Sequence, residues 1–352
     1  MPSDNNGPSA GPPPRQVVCP ICLARIDWGN LSPFRWDKGE GKYVPMTFPS
    51  SASPEQREHL MGTISWRCPN PTGDVAIHFL PAAYGQYGEP AVFGFIGATS
   101  SGKTHLLASM VGAIESGELH RYGLTAAPVD RGRHRTFMTD SVIPLLNSST
   151  VLKATREGVI TFADAFLVGQ GAAEPRPIAI FDVAGEELRK VDDAKRFLNV
   201  ATGFVFVVDP NQFGKSKLGD QTFNVVLEIL QSIRKLDSVS AVVVLNKADQ
   251  LKFDEPVALW LRRADNGLDT GMVVEESADV YAYLHSRGAD AWARPFRECG
   301  NATLHFASAT GVSKGDELAT TYPRPVRPQR VLAPLLSLMA MAGVITAPGT
   351  GA

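Results

Sequence analysis

The sequence predicts an α/β fold in which a mostly parallel central sheet is flanked by helices, preceded by a small cysteine-containing module. From Ala91 onward, short apolar runs alternate with helical stretches, and this alternation favours a parallel sheet with right-handed crossovers. The runs are apolar at nearly every position, as expected for strands buried on both faces. Before Ala91 the chain contains several Trp, Pro and Cys residues and little helical periodicity, which indicates a separate small module.

Changes in composition divide the chain into regions. We expect a disordered tail at 1–16, a small loop-rich module at 17–81, a linker at 82–90 and a larger domain at 91–347. The tail is rich in Pro, Gly, Ser and Asn, a composition that disfavours packing. Two stretches of the larger domain exceed ordinary connections, and we expect helical inserts or switch regions there, at 117–158 and 251–300.

The larger domain is expected to alternate core strands with helices. The strands are predicted at 91–96, 159–168, 177–182, 203–209, 241–246 and 302–308. The helices are predicted at 103–115, 186–199, 222–235, 256–264 and 331–341. The last helix falls in the uncharged stretch Val331–Ala347, which is at the lower limit of about 17 residues for a membrane span and contains Pro334. We interpret it as a helix packed on the sheet.

Composition and charge disfavour several classes of protein. The formal net charge of the 352 residues is -2, so no bulk attraction to nucleic acid or to anionic membranes is expected. The N-terminal residues lack the apolar segment of a secretory signal. Four cysteines are too few for a disulfide scaffold of this length, and we therefore expect a reducing, cytoplasmic environment.

The strongest motif is GATSSGKT at 97–104, which fits the pattern G-x-x-x-x-G-K-[ST] and lies between a predicted strand and a predicted helix. Gly97 and Gly102 allow the backbone to turn its N–H groups toward phosphate oxygens, and the helix adds the positive end of its dipole. Lys103 is expected to reach the β- and γ-phosphates of a nucleoside triphosphate, and the Thr104 hydroxyl to bind Mg²⁺. The residues expected to contact the nucleotide here are Gly97, Ala98, Thr99, Ser100, Ser101, Gly102, Lys103, Thr104 and His105.

A second motif is PIAIFDVAGEE at 177–187. Asp182 ends an apolar strand, which is expected to place its carboxylate beside the Mg²⁺ site. Gly185 follows in the pattern D-x-x-G and is expected to contact the γ-phosphate through its N–H group, although a strand followed by a β-turn is the alternative. Glu186 could orient the attacking water as an acceptor, but its charge would be repulsive near the γ-phosphate. It could equally be the first-turn acid of the next helix.

The motif NKAD at 246–249 follows another apolar strand. Asp249 is expected to accept hydrogen bonds from guanine N1–H and from the exocyclic amine, a donor pair that adenine lacks, so guanine is favoured. Asn246 is expected to brace this loop against the phosphate loop, and Lys247 to lay its stem over the base and ribose. A backbone N–H after the last strand is expected to meet the guanine carbonyl, within Ser308, Ala309 and Thr310.

Along the chain, the motif expected to bind phosphate comes first, the motif expected to lie at Mg²⁺ comes second, and the two segments expected to contact the base follow. In that order they resemble the P-loop GTPases of the Ras-like, translation-factor class over Ala91 to about Ala347. With a Cys-x-x-Cys module in front, the layout is most similar to the double-GTPase proteins of bacterial conflict systems. The resemblance implies a P-loop GTPase fold that binds GTP or GDP with Mg²⁺ and hydrolyses GTP as a molecular switch. It also implies catalytic roles for Lys103, Thr155, Gly185 and Glu186.

The threonine that binds Mg²⁺ and senses the γ-phosphate in this class has several candidates in the sequence. Thr155 lies just before the strand predicted at 159–168 and is our choice as a Mg²⁺ ligand beside Thr104 and Asp182. Thr136, Thr150 and Thr161 are rivals, and a threonine that caps a helix or lies in a strand is the alternative interpretation. A cis arginine could come from Arg156 or from Arg131, Arg133 and Arg135, although for the last three a solvated basic segment is the preferred interpretation.

The N-terminal module carries a metal-binding pattern. Cys19 and Cys22 form a C-P-x-C knuckle that can present two thiolates to one tetrahedral metal, and Cys68 lies in a similar Cys-Pro setting. The fourth ligand is open between His78 and His59, with His78 preferred. We expect a structural Zn²⁺ in a zinc-ribbon-like module, with a redox pair or a degenerate zinc site as alternatives. Cys299 is expected to be a core thiol.

Two functions remain open from the sequence. Lys103, Thr104 and Asp182 favour a hydrolysing GTPase switch, whereas Glu186 favours a nucleotide-occupied scaffold with little turnover. NKAD argues against an ATPase. The expected partners are a guanine nucleotide and an unknown protein effector or activator, with no nucleic acid and no membrane span.

Overall fold

The computed structural model describes residues 16–47, 53, 55–56, 60, 63–73, 75–153, 160–183, 191–215, 218–263, 268–316 and 318–347. The chain divides into two compact units, one extending to Pro90 and the other beginning at Ala91. The predicted α/β fold is confirmed in the second unit, whose seven-stranded sheet is mostly parallel and carries helices.

The first unit contains two small antiparallel sheets. A hairpin joins β1 to β2, and the other sheet has the order β4-β3-β5-β6. The strands are β1 Gln16–Val18, β2 Arg25–Asp27, β3 Pro33–Asp37, β4 Lys42–Pro45, β5 Ile64–Arg67 and β6 Phe79–Pro81.

The short helix α1, Ala83–Gln86, falls in the segment expected to be a linker. Tyr84 is 1% exposed, and its hydroxyl donates to the Val18 carbonyl over 3.0 Å. Its ring packs beside Trp28, which in turn meets Trp66 edge to face. The buried aromatic ring therefore fixes the start of this segment to the first unit, because burial of such a ring is strongly favourable.

The second unit has the sheet order β13-β12-β11-β7-β10-β9-β8. Its strands are β7 Ala91–Ile96, β8 Leu124–Pro128, β9 Ile160–Gln170, β10 Arg176–Val183, β11 Gly203–Val208, β12 Ser240–Leu245 and β13 Asn301–Phe306. Its helices are α2 Lys103–Glu115, α3 Arg131–Phe137, α4 Ile143–Leu146, α5 Val191–Val200, α6 Gln221–Ser232, α7 Val257–Arg262, α8 Thr270–Ser286, α9 Arg294–Glu298 and α10 Leu332–Met341. The strands β10, β7, β11, β12 and β13 are parallel, so the loops that follow them meet at one edge of the sheet.

Two strands at the other side of the sheet depart from the parallel pattern. The strand predicted at 159–168 is β9, which runs antiparallel to β10 and to β8. Strand β8 lies in the insert at 117–158 and was not predicted, because LTAAP is short and only Leu124 among its residues is fully buried. In its described part, the stretch 251–300 contains α7, α8 and α9.

Helix α10 covers the sheet near β11, β12 and β13 and also contacts α2. Leu335 and Leu338 are fully buried in the core. Each buried leucine contributes about 2 kcal/mol through the hydrophobic effect. The uncharged stretch therefore forms a core helix, and no helix in the described ranges is long and apolar enough to cross a membrane.

Candidate functional site

The phosphate loop connects β7 to α2. Gly97 approaches β11 so closely that an added Cβ would lie 2.7 Å from the Val207 carbonyl oxygen. Gly102 has a φ of 88° and directly precedes α2, so the positive N-terminal end of the helix dipole lies at the loop. Lys103 Nζ donates to the carbonyls of Gly97 (2.6 Å) and Ala98 (2.9 Å), so its ammonium lies at the loop. The loop thus combines inward-turning backbone with a positive charge.

Thr104 and Asp182 meet beside this loop. Thr104 Oγ1 donates to Asp182 Oδ2 over 2.7 Å. Thr104 lies in the first turn of α2, and Asp182 lies near the end of β10, which pairs in parallel with β7. A hydroxyl and a carboxylate oxygen are hard ligands of the kind Mg²⁺ prefers, so this donor set fits the metal.

Asn246 joins three loops with one amide. Its side chain is 1% exposed, and Nδ2 donates to the Ser101 carbonyl over 3.0 Å. Its Oδ1 accepts from the Ala309 N–H over 3.2 Å. A Cβ added at Gly102 would lie 2.5 Å from Asn246 Nδ2, so the amide also lies against the phosphate loop. The loops after β7, β12 and β13 are therefore held in one arrangement.

Lys247 has a φ of 55° and directs its amine toward the phosphate loop. Its Nζ donates to the Ser100 carbonyl (2.9 Å) and to Asp209 Oδ2 (2.7 Å). Asp209, whose side chain is only 4% exposed, was not predicted as a site residue. The sequence does mark it, because Asp209 follows an apolar strand in the same way as Asp182.

The Asp249 carboxylate is oriented by the loop after β13. Ser308 Oγ donates to Asp249 Oδ1 and accepts from the Gly311 N–H over 2.8 Å. The backbone of Ser308 exchanges two hydrogen bonds with Gln329, of 3.0 and 2.8 Å. The predicted base-contacting residues of this loop are all buried in the structure, namely Ser308, Ala309 and Thr310.

His105 contacts residues outside the phosphate loop. Its Nε2 accepts from the Leu152 N–H over 3.2 Å, and its ring meets Tyr322 edge to face. Burial lowers the pKa of His105 to about 4, and the positive charges of Lys247 and Lys314 lower it further. Burial also raises the pKa of Tyr322 to about 12. His105 is therefore neutral at physiological pH and holds the stretch that ends at residue 153.

Asp220 is a second residue that the sequence analysis missed. Its Oδ2 accepts from the Ala98 N–H in the phosphate loop over 2.7 Å. Its Oδ1 accepts from the Thr222 N–H over 2.8 Å and caps α6. An Asp before a helix is a recognisable N-cap, but the contact with Ala98 depends on the fold and leaves no local signal.

Several predicted residues lie outside the described residues, namely Thr155, Gly185, Glu186 and the alternative zinc ligand His59. The rivals of Thr155 have local structural partners. Thr136 donates within α3, and Thr150 forms an antiparallel bridge with Thr321. Thr161 lies in β9, directly opposite Asp182 in β10.

The first unit brings three cysteines and one histidine together. Cys19 and Cys22 lie between β1 and β2, Cys68 follows β5, and His78 precedes β6. Their ligand atoms all lie within 4.8 Å of one another. The Cys22 and Cys68 sulfurs are 3.7 Å apart, much longer than a disulfide of about 2.0 Å and close to the sulfur separation of about 3.8 Å in tetrahedral zinc sites. His78 Nδ1 donates to the Ala76 carbonyl over 2.8 Å, which leaves Nε2 as the ligand atom, and this set fits Zn²⁺.

The backbone around the cluster favours thiolates. The Ile21 N–H donates to Cys19 Sγ and the Asn70 N–H to Cys68 Sγ, each over 3.4 Å. Hydrogen bonds from the Cys19 and Cys68 thiols lower the pKa of Cys22, whereas the interaction with Cys22 together with burial raises the pKa of Cys19 and of Cys68, so Cys22 is the thiol that ionises first. A cluster that stabilises a thiolate is suited to a metal, since the thiolate is the ligand form of cysteine.

Comparison with known proteins agrees with the motifs. Residues 91–289 match the family described as Double-GTPase 2. A bacterial selenocysteine-specific elongation factor, EF-Sec, has a similar structure with a TM-score of 0.29 and 20% identity, covering 62% of this chain and 26% of its own. The S. cerevisiae Ski7 GTPase-like domain, bound to GTP, has a TM-score of 0.37 and 14% identity, covering 74% of this chain and 51% of its own. This chain thus spans about a quarter of the first and half of the second, and no curated protein sequence matches it.

Proposed function

The chain belongs to the Double-GTPase 2 family, and from this premise we propose that it binds GTP and GDP with Mg²⁺ and hydrolyses GTP as a molecular switch. One observation carries the proposal. The Asn246 amide bonds both the Ser101 carbonyl and the Ala309 N–H, so the phosphate loop is held beside the loops expected to contact the base. Groups for phosphates and for guanine placed side by side are what a guanine nucleotide requires.

The phosphate end of the pocket is proposed to act through Lys103 and the start of α2. The Lys103 ammonium can exchange its contacts with the loop carbonyls for β- and γ-phosphate oxygens. Thr104 and Asp182 would hold Mg²⁺, with Thr155 as the proposed further ligand. When bound, Mg²⁺ would neutralise charge that develops on the phosphates.

The base end of the pocket is proposed to select guanine through Asp249. Ser308 Oγ donates to one carboxylate oxygen, Oδ1, and so fixes the orientation of the carboxylate. Adenine offers no matching donor pair, so it would leave a carboxylate that is only 8% exposed without its ligand hydrogen bonds.

Hydrolysis would transfer the γ-phosphoryl group to water, breaking the bond between the γ-phosphorus and the bridging oxygen and releasing GDP and phosphate. Gly185 is proposed to contact the γ-phosphate and Glu186 to lie next to the attacking water. The negative charge of Glu186 argues for slow intrinsic turnover. A nucleotide-occupied scaffold with little hydrolysis is the second candidate, and Glu186 is the residue that favours it.

Nucleotide binding and single-turnover hydrolysis test the proposal. Lys103→Ala should weaken GTP binding at least about 100-fold, because a charge-assisted phosphate contact is lost in a shielded site. Lys252→Ala, at an exposed lysine, is the matched control and should bind as the wild type does. A folded Lys103→Ala protein with unchanged GTP affinity would overturn the assignment.

We propose a structural Zn²⁺ for the first unit, held by Cys19, Cys22, Cys68 and His78. Metal binding would contribute folding free energy to this small unit, whose sheets are short. A cytoplasmic location follows as a proposal, since these thiols and Cys299 need reducing conditions. Alkylation in denaturant immediately after cell lysis should find Cys19, Cys22 and Cys68 as thiols, and a disulfide among them would contradict that location.

We also propose a protein effector that reads the bound nucleotide, within a bacterial conflict system as the sequence resemblance implies. The chain carrying GppNHp, a non-hydrolysable GTP analogue, should retain such a partner, whereas the GDP-bound chain should not. Equal retention in both states would contradict a switch.

A further inference from the structure

A cavity of about 380 Å³ lies in the second unit, apart from the phosphate loop. It is lined by the C-terminal half of α2, by part of 118–121 and by 328–332. From Lys103 to Gly112 in its wall, the axis of α2 rises about 14 Å, so the cavity and the phosphate-binding end of the helix are separate. Nucleotide phosphates at the start of α2 would therefore not occupy it.

The lining of the cavity carries excess positive charge. Arg121, Arg263 and Arg330 line it, and Glu118 is the single acidic residue in its described lining. Arg121 pairs with Glu118 over 3.2 Å, and both side chains are nearly half exposed. Such an exposed ion pair contributes little to the stability of the fold, so it can open when a ligand binds.

The other two arginines form ion pairs with glutamates that do not line the cavity. Arg263 Nη1 meets Glu275 Oε2 at 2.8 Å, and Arg330 Nη2 meets Glu276 Oε2 at 2.8 Å. The Arg330 side chain is 7% exposed, and its Nε and Nη2 both donate to the Glu276 carboxylate. Its Nη1 is itself buried and has no hydrogen-bond partner in the described part of the chain, so Arg330 contributes to the cavity through its charge and not through an exposed donor.

Helix α10 adds to the positive electrostatic potential of the cavity. Its first residue Leu332 and its N-cap Val331 both line the cavity. Its N-cap Val331 has no capping side chain, and its first turn contains no acid. The N-terminal N–H groups and dipole of α10 therefore favour an anion beside the arginines.

Residues that line the cavity are also hydrogen-bonded to the loop after β13, which contains Ser308 and Ala309 and is called the base loop below. Ser109 lines it and donates through Oγ to the Ala309 carbonyl over 2.6 Å. Gln329 lines it too and exchanges backbone hydrogen bonds with Ser308. A ligand that displaces either wall would move the loop that orients Asp249.

We infer that this cavity binds a small phosphate-bearing anion and that its occupancy is coupled to guanine-nucleotide binding. Guanidinium groups match the oxygens of a phosphate geometrically, and three of them from separate elements converge on the cavity. The coupling rests on the proposed function of the base loop, whereas binding of the anion does not.

The test uses the full chain saturated with Mg²⁺ and GppNHp, so that the phosphate loop is occupied. Inorganic phosphate is titrated calorimetrically at an ionic strength held constant with chloride. We expect saturable binding that weakens about tenfold or more in Arg263→Ala and in Arg121→Ala, each checked for folding by thermal unfolding. Arg262→Ala is the matched control, because Arg262 is the neighbouring arginine and lies outside the lining.

Dissociation of fluorescent mant-GppNHp measures the coupling. Phosphate should change this rate about fivefold or more in the wild type and leave it unchanged in Arg263→Ala. Absence of saturable binding, or equal binding in the wild type and both cavity variants, would show an adventitious ion only and overturn the site. Binding without a rate change would overturn the coupling. Failure to load GppNHp at all would instead count against the proposed function.

Discussion

Replacing Asn246 with Ala should loosen the whole nucleotide pocket. The amide is 1% exposed and makes two hydrogen bonds, one to the Ser101 carbonyl and one from the Ala309 N–H. Alanine removes both at once and leaves a buried acceptor in one loop and a buried donor in another. The fold of the sheet should survive, because the side chain belongs to a loop after β12.

The magnitude follows from those two bonds. Each orphaned buried backbone group costs about 1–3 kcal/mol, so the free energy of unfolding should fall by about 2–6 kcal/mol. Where the nucleotide has to reorder the loosened loops, the same free energy appears as an affinity loss of about 30-fold to 25,000-fold. Urea unfolding of the nucleotide-free chain and a mant-GDP titration measure the two quantities.

Asn301→Ala is the matched control, because Asn301 is exposed at the start of β13. It should change neither quantity appreciably. An Asn246→Ala chain that loses less than about 0.5 kcal/mol and binds mant-GDP as the wild type does would refute the reasoning, because a change that small is typical of surface positions.

Four further perturbations test other parts of the interpretation. Asp249→Asn should shift preference from guanine to xanthine nucleotides, whose exocyclic carbonyl complements the amide; competition between GDP and XDP measures this, and a retained guanine preference would contradict the role of Asp249. Glu186→Gln should hydrolyse GTP at least as fast as the wild type in single turnover, and a tenfold drop, about 1.4 kcal/mol of barrier, would make Glu186 the water-positioning residue instead. The pKa of His105 falls from 6.5 to about 4 on folding, so its stability contribution is complete above pH 6.5 and decreases as pH falls toward 4. Between pH 7 and pH 5, the free energy of unfolding of His105→Asn in urea should therefore fall by about 2 kcal/mol less than that of the wild type. Equal falls in the two proteins would place His105 in a solvated environment. Cys68→Ser should abolish the one zinc per chain found by metal analysis, whereas Cys299→Ser should keep it; zinc retained by the first variant would refute the ligand set.

Four of the five parallel strands of the second unit, β7, β10, β11 and β12, could be predicted because nearly all their residues are buried and apolar on both faces. The motif loops could be placed because each directly follows one of these strands. Asp209 and Asp220 were missed for a different reason. Their partners, Lys247 and the Ala98 N–H, are remote in sequence, and only the strand order brings them together.

The edge strands were harder to predict. An antiparallel pairing such as that of β9 with β10 depends on a turn and a register, not on composition. Strand β8 contains two alanines and a proline and has little β propensity of its own. Similarly, the sequence could only rank His78 above His59, because zinc spacing permits both. The position of His78 immediately before β6 brings it to the cysteines.

The position of α10 along the chain has a consequence for synthesis of the protein. Strand β11 is complete at Val208, yet α10, which covers the sheet near it, begins only at Leu332. At ribosomal rates of about 5–20 residues per second, this apolar strand waits roughly 6–25 s for its cover. During that time the nascent chain presents unpaired hydrophobic surface, which is the feature that chaperones recognise. Ribosome-bound chains stalled before α10 should therefore carry more chaperone than chains stalled after it has emerged.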